Sequence, residues 1–151
     1  MLRAPVKIDA LMEEWTNDSP INDIDPVKEL GRIPVLHSKY LNVLTHHNLV
    51  VKKLTSDYAS QKQVKLAWYR GDLNNPDDLA KHNLEPNLSP SPNNALAQIK
   101  LDADVNLNKI LAKKMIHEEI VSYCDKVLKE LGSRTFQLNS MVKYIIFTGG
   151  M

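Results

Sequence analysis

The amino-acid sequence predicts an all-α protein in which two long helices and several short ones form a helical-bundle protomer. Apolar residues recur at steps of three and four over long stretches, which places them along one side of a helix. Only 6% of the 151 residues are aromatic and five are glycine, whereas a many-stranded β-sandwich needs more of both. With 43% hydrophobic residues, the chain can bury a core in one domain or two small ones.

The first part of the chain predicts two short helices. Residues 6–15 carry apolar side chains at helical spacing, and the Asp-Ser-Pro sequence at residues 18–20 ends that helix. The Asp-Pro pair at residues 25–26 is typical of an N-cap and a first helical residue. Pro34 disfavours helical geometry in the residue before it, which predicts that the second helix ends near Arg32.

The first long helix is predicted from Pro34 to about Arg70. This stretch contains no glycine and no further proline, and its apolar residues form one stripe. A helix of this length exceeds what a small globular domain usually holds, which favours a coiled-coil-like or oligomeric partner. Residues 46–48 are the weakest part of the stripe, and Gly71 is expected to end the helix.

A long linker is predicted next, because residues 71–94 contain four of the chain's eight prolines. Residues 95–101 fit either a helix or an extended segment. We therefore divide the chain into an N-terminal helical region (1–70), the linker (71–94) and a C-terminal helical region (95–151).

The C-terminal region predicts a second long helix and a short last one. Asp102 or Asp104 suits the N-cap, and apolar residues continue at helical spacing to Leu131. Gly132 suits the position just after a helix end. A short helix over about residues 136–147 then carries more apolar surface than so short an element can bury, which predicts self-association. The residues expected to drive it are Phe136, Met141, Ile145 and Phe147.

Charge is segregated along the chain, although the formal net charge is only +1. Residues 36–70 carry +5 and residues 105–151 carry +3, whereas residues 1–35 and 71–104 carry −3 and −4. A uniformly basic, histone-like surface is excluded. The charge distribution does not exclude a localised basic strip that binds a polyanion.

The end of the first long helix combines cations and aromatic rings. Four side chains fall within about 60° of one another on a helix: Tyr58, Lys62, Lys65 and Tyr69. Trp68 and Arg70 lie beside them at the helix end. Cations neutralise phosphates and aromatic rings stack on unpaired bases, so the combination favours single-stranded over double-stranded nucleic acid. The same rings also suit core or interface anchors surrounded by lysine stems.

Signals for catalysis, cofactor binding and membrane insertion are absent from the sequence. The five histidines lack metal-ligand spacing, and adjacent His46 and His47 point about 100° apart on a helix. Cys124 lies on the apolar stripe, as a core residue would. We therefore expect no enzyme, no cofactor and no metal. Residues 1–15 show no secretory signal and no stretch approaches the roughly 20 apolar residues of a membrane span, so an intracellular location is expected.

Four sequence motifs resemble those of the UvsY recombination mediator family of T-even-like tailed phages, in the same order and at similar spacing. They are LHSKYLN at residues 36–42, KLAWYRG at 65–71, the Tyr-Cys pair at 123–124, and SRTF at 133–136 followed by FTGG at 147–150. The resemblance covers most of the chain. Gln63 is a departure, since it stands at one of two positions where the family has basic residues.

The resemblance implies a non-enzymatic accessory factor of phage homologous recombination, recombination-dependent replication and repair, in the cytoplasm of the infected bacterium. Such proteins form closed homo-oligomeric rings, hexamers or heptamers, and bind single-stranded DNA. They help a RecA-like recombinase of the UvsX type to replace the single-strand-binding protein on that DNA. The competing hypothesis is a helical oligomeric scaffold or assembly protein without a nucleic-acid role.

Within this hypothesis each residue of the basic, aromatic helix end has an expected role. Lys62, Lys65 and Arg70 contact phosphates. Trp68 and Tyr69 stack on bases or position the cations, and Tyr58 belongs to the same nucleic-acid-binding surface.

Overall fold

The computed structural model describes residues 7–149, and all regular secondary structure in this range is helical. Five helices follow one another along the chain: α1 (Ile8–Asp18), α2 (Pro26–Arg70), α3 (Pro76–Lys81), α4 (Asn94–Asp102) and α5 (Val105–Gly149). Helices α2 and α5 contain 45 residues each. The all-α prediction with two long helices is therefore confirmed for the described residues.

The predicted break at Pro34 is wrong, because α2 continues through this residue. A proline inside a helix removes one N–H donor and crowds the carbonyl four residues earlier. Pro34 is exposed, so its ring occupies no place in the core. Leu36 and Tyr40 are buried within the next two turns, and their packing outweighs the local cost of the proline.

The predicted helix end at Gly132 is also wrong. Helix α5 runs without interruption to Gly149, and the separate helix expected over residues 136–147 is its last part. Glycine inside a helix costs about 1 kcal/mol relative to alanine. Leu131 and Leu138 are buried on either side of Gly132, and burial of this stripe keeps the helix continuous.

The segment expected to be a linker, residues 71–94, contains helix α3. Side chains of Asn75 and Asn93 cap α3 and α4 by accepting hydrogen bonds from the backbone N–H groups of Asp77 and Leu96, respectively. The choice between helix and extended segment that the sequence left open for residues 95–101 is settled in favour of helix α4.

The chain divides by its internal contacts into two units. The first contains residues up to Leu49 and from Ile116 onward, and the second contains Val50–Met115. These units do not coincide with the division at residues 70 and 95 drawn from the sequence, because each long helix contributes to both units. The roles expected for the sequence regions, single-stranded DNA binding for residues 1–70 and oligomerisation for residues 95–151, stay predictions.

The core of the first unit is formed by apolar side chains from α1, α2 and α5: Leu11, Leu36, Tyr40, Val43, Ile120, Cys124, Val127 and Leu131. Burial raises the pKa of the Cys124 thiol to about 11, so the thiol is a neutral core group, as expected from the sequence. At the edge of this core the Tyr40 hydroxyl donates to Asp18 Oδ2 at 2.9 Å.

Candidate nucleic-acid interface

The basic, aromatic end of α2 lies in the second unit. Lys62 Nζ is 5.9 Å from the centroid of the Tyr58 ring, one turn earlier. Both side chains are half-buried. An ammonium group held against a ring keeps its other side hydrated and accessible to an anion. The structure therefore brings these two predicted residues into contact.

Lys65 and Tyr69 meet on Asp104, which the sequence did not place in the site. Lys65 Nζ lies 3.1 Å from Asp104 Oδ2, and the Tyr69 hydroxyl donates to the same oxygen at 2.6 Å. The side chains of Lys65 and Asp104 are only 11% and 4% exposed. A contact between Lys65 and a phosphate therefore requires that this buried ion pair opens.

These groups also determine one another's protonation. Burial by itself raises the pKa of Asp104, but hydrogen bonds from Tyr69, from the Leu107 backbone and from Lys65 together hold that pKa below its usual value. Burial, followed by the hydrogen bond to Asp104, raises the pKa of Tyr69 to about 12. At neutral pH the carboxylate is therefore ionised and the phenol is neutral.

Asp104 has a second role, because its Oδ1 accepts a hydrogen bond from the Leu107 backbone N–H at 2.9 Å and so caps the start of α5. The sequence indicated this capping position. It carried no signal for the contact with Tyr69, which lies 35 residues earlier in the chain.

Trp68 is oriented by the chain segment that precedes α4. Its Nε1–H donates to the Glu85 carbonyl at 2.7 Å. The Lys65 ammonium group lies 5.5 Å from the centroid of its ring, and the ring meets Tyr69 edge-on at a centroid distance of 5.0 Å. The half-buried indole is thus held in one orientation beside the predicted strip.

The same segment satisfies carbonyl groups at the end of α2. The Asn87 side-chain amide donates to the Trp68 carbonyl at 2.9 Å, and the Ser91 backbone N–H donates to the Tyr69 carbonyl at 2.8 Å. Such carbonyls have no partner inside their own helix. Residues 85–91 therefore act as a cap for α2, a function that their proline-rich composition did not reveal.

Arg70 forms an ion pair at the protein surface and is more exposed than Lys65. Its Nε lies 3.3 Å from Asp72 Oδ2, and its side chain is 43% exposed. An ion pair on the surface contributes little and opens easily. Lys52 and Lys53 are exposed on the same helix, although the sequence counted them only in the net charge.

A cleft of about 610 Å³ adjoins Lys65. Its lining includes the amide side chains of Gln61, Asn83 and Asn106 together with Leu107. Amide groups both donate and accept hydrogen bonds, which is the capacity needed to pair with the edge of an unpaired base. The cleft falls within the usual size range of ligand sites.

The four predicted oligomerisation residues do not form one surface. Phe136 and Phe147 are 76% and 82% exposed, Ile145 is 47% exposed, and Met141 is half-buried. Since α5 is one helix, Phe136 and Phe147 lie within about 20° of each other around its axis, and Met141 and Ile145 lie within about 40° on nearly the opposite side. The helix end therefore has two distinct apolar faces.

Within residues 7–149, no three His, Cys, Asp or Glu side chains are grouped as a metal site would require. The rings of His46 and His47 meet edge-on, and the buried His47 Nδ1 lies 2.8 Å from His117 Nδ1. Among the helices of the described range, none is long and apolar enough to cross a bilayer.

Comparison with known proteins gives a consistent result. The family model described as "Recombination, repair and ssDNA binding protein UvsY" matches residues 14–151. Two crystal structures of the bacteriophage T4 recombination mediator protein UvsY, in lattice types IV and I, have the same fold, with TM-scores of 0.75 and 0.73 and 18% sequence identity. The alignments cover 94% and 91% of this chain and 98% and 97% of the T4 chains. No curated protein sequence matches. The chain belongs to the UvsY family, as its four sequence motifs predict.

Proposed function

We propose that this protein is a recombination mediator that binds single-stranded DNA and promotes the loading of a RecA-like recombinase of the UvsX type in place of single-strand-binding protein. The observation that carries the proposal is the match of residues 14–151 to a family described by recombination, repair and single-stranded DNA binding. The end of α2, with its cations and half-buried rings, is the surface we assign to the DNA.

The contacts of the individual side chains suggest an order of engagement. Lys62 and Arg70 are accessible and contact phosphates directly. Tyr58 and Trp68 stack on bases or hold the cations in place. Lys65 joins them, with its neighbour Tyr69, when a phosphate replaces Asp104 as the partner of its ammonium group.

A single subunit with so few cations binds a strand weakly, since each phosphate contact contributes a salt slope of only about −0.7 for single strands. Self-association repeats the surface and raises avidity without new contacts. The two apolar faces at the end of α5, Phe136 with Phe147 and Met141 with Ile145, are suited to head-to-tail contacts. Contacts between two different surfaces close into rings when the rotation permits.

Mediation in this proposal requires no nucleotide hydrolysis. Many weak phosphate contacts on one oligomer hold the strand along a fixed path, away from the single-strand-binding protein. Each contact is individually easy to break, so the strand can pass to the recombinase stepwise. The acidic segments that flank the basic helix limit non-specific binding by each subunit.

Fluorescence anisotropy with labelled oligothymidylate at several salt concentrations tests the DNA contact. The variant Lys62→Ala with Arg70→Ala removes two phosphate contacts per subunit, so we expect weaker binding and a salt slope shallower by about 1.4 for each engaged subunit. The matched control, Lys28→Ala with Lys129→Ala, removes two exposed cations elsewhere and should bind as the wild type does. Equal losses in both variants would contradict the assignment.

Two further measurements separate mediation from a scaffold role. Recombinase loading on DNA covered with single-strand-binding protein should be stimulated by the wild type and much less by the Lys62/Arg70 variant. Light scattering should show smaller species for Phe136→Ser with Phe147→Ser, compared with Lys143→Ser. A scaffold protein would keep the oligomer and show neither salt-dependent DNA binding nor stimulated loading.

A further inference from the structure

A basic pocket lies between α1 and α5 in the first unit, outside the surface assigned to DNA. It has a volume of about 380 Å³ and is lined by Trp15, Ser19, Tyr123, Lys126, Val127, Glu130 and Arg134. We call it the Arg134 pocket. Its walls are aromatic and aliphatic, and its charged groups are two cations and one carboxylate.

Arg134 is only 11% exposed, and its ion pair with Glu130 is too long for a hydrogen bond. Its guanidinium carbon lies 5.1 Å from the centroid of the Trp15 ring. Its buried Nε–H has no hydrogen-bond acceptor, and Glu130 Oε1 stays 3.6 Å away from that nitrogen. A buried donor without an acceptor costs free energy, and a guanidinium pairs best with a carboxylate or phosphate. The pocket is therefore suited to an anion.

The charges of the pocket favour a single carboxylate side chain over a nucleic acid. A nucleic-acid strand presents a row of phosphates and is bound by several exposed cations. This pocket holds two cations, of which Arg134 is only 11% exposed. The aromatic and aliphatic walls additionally favour an apolar side chain next to that carboxylate.

The chain itself carries a segment of this chemistry, the connection between α1 and α2 at residues 21–25 (INDID). Ile24 is 90% exposed and stands between two exposed aspartates. Asn22 Oδ1 accepts a hydrogen bond from the Ile24 backbone N–H at 3.1 Å, which stabilises the loop conformation. Asp25 caps α2 through the Lys28 backbone N–H at 3.2 Å, so Asp23 is the carboxylate that the loop presents.

We propose that the loop at residues 21–25 of one copy docks into the Arg134 pocket of a second copy. Ile24 then packs on the aromatic and aliphatic wall, and the Asp23 carboxylate pairs with Arg134 and Lys126. The local charges agree, since the loop contains two aspartates and no cation, whereas the pocket contains two cations and one carboxylate. The inference rests on the self-association proposed above, and it adds a second contact to the one proposed for the end of α5.

Charge exchange between copies tests the pairing. Asp23→Arg and Arg134→Glu, each alone, place like charges together, so we expect self-association measured by light scattering to weaken at least about tenfold. The two changes combined in one chain restore opposite charges and should recover most of it. The matched control, Asp9→Arg with Lys129→Glu, should have no effect. Failure of the combined variant to recover, in chains whose helicity is normal by circular dichroism, would overturn the pairing.

A disulfide cross-link gives an independent readout that does not depend on the fold of an Arg134 variant. Ile24→Cys with Lys126→Cys, in a Cys124→Ser background, should form covalent dimers and larger species under mild oxidation. Each single-cysteine variant in the same background should form at most a dimer. A cross-link confined to one chain, or none, would overturn the proposal. The reaction is run without DNA, so its failure is distinguishable from failure of DNA binding, which anisotropy measures separately.

Discussion

Replacement of Asp104 by alanine tests how much one carboxylate, at the end of α2 and the start of α5, contributes to the free energy of unfolding. The change removes the acceptor of the Leu107 N–H and the common partner of Lys65 and Tyr69. A lost N-cap costs about 1 kcal/mol, and removal of one partner from a buried ion pair costs about 3–5 kcal/mol. Because these contacts share one side chain, the costs are not additive. We expect the free energy of unfolding to fall by about 3–5 kcal/mol.

Urea denaturation followed by far-ultraviolet circular dichroism measures this loss. Asp104→Asn keeps an acceptor for the backbone and for Tyr69 but removes the charge, so the expected loss is smaller, about 1–3 kcal/mol. The control is Asp102→Ala, two residues earlier, whose carboxylate receives an exposed hydrogen bond from Gln98. Its effect should stay within about 0.5 kcal/mol. A loss for Asp104→Ala no larger than that of the control would refute the assigned role.

Asp104→Asn should also change the pH dependence of stability and the affinity for single-stranded DNA. Although burial opposes it, the hydrogen bonds to Asp104 lower its pKa from 3.8 in the folded state. Its contribution is therefore present above about pH 4 and is lost as the pH falls through the lower folded value, so acid destabilisation should be weaker in Asp104→Asn. This variant also releases Lys65, and its affinity for oligothymidylate at low salt should exceed that of the wild type. An unchanged affinity would show that Lys65 takes no part in binding.

Four further predictions concern three backbone positions and the titration of one histidine. Pro34→Ala should raise the free energy of unfolding by about 1–3 kcal/mol in urea denaturation, because it restores a helix donor at an exposed position; no gain would contradict this reasoning. Gly132→Ala should stabilise by up to about 1 kcal/mol, since an added Cβ meets nothing within 4 Å. Gly71→Ala should lower the free energy of unfolding by about 1–3 kcal/mol, because the φ of Gly71 is +82° and a Cβ would lie 2.8 Å from a proline side chain. If both glycine substitutions changed the free energy of unfolding in the same direction, the conformations assigned to the two glycines would be contradicted. Burial and the neighbouring histidines lower the pKa of His47, so the unfolded state binds more protons than the folded state. The Tm should therefore decrease when the pH is lowered from about 7.5 to about 5.5. The Tm of His47→Gln should depend less on pH over this range.

The sequence predicted the helices well where the signal is local. The 3.6-residue period identified the centres of α2 and α5 and placed buried residues such as Tyr40 and Cys124 on their apolar sides. Helix ends were less predictable. Gly71 and Gly132 have the same local chemistry, but only Gly71 has a positive φ, because burial on both sides of Gly132 keeps the helix continuous.

In the candidate site, local sequence patterns predicted which side chains share a helix face but not their partners from distant parts of the chain. Helical spacing correctly grouped Lys65 and Tyr69, since both belong to one helix. Their partner Asp104 and the capping residue Asn87 come from other parts of the chain. Nothing in a local pattern identifies such pairs, because tertiary packing alone determines which polar group completes a distant helix end.

The cap on α2 constrains how this protein can vary during evolution. The helix end that we assign to DNA depends on backbone acceptors satisfied by Asn87 and Ser91, some twenty residues downstream. Loss of this segment would leave the Trp68 carbonyl with the Gly71 N–H as a donor, whereas the Tyr69 carbonyl would lose both Asn87 and Ser91. A lineage that loses this segment must therefore acquire another donor for the Tyr69 carbonyl, and such paired changes in related phages would trace the history of the DNA-binding surface.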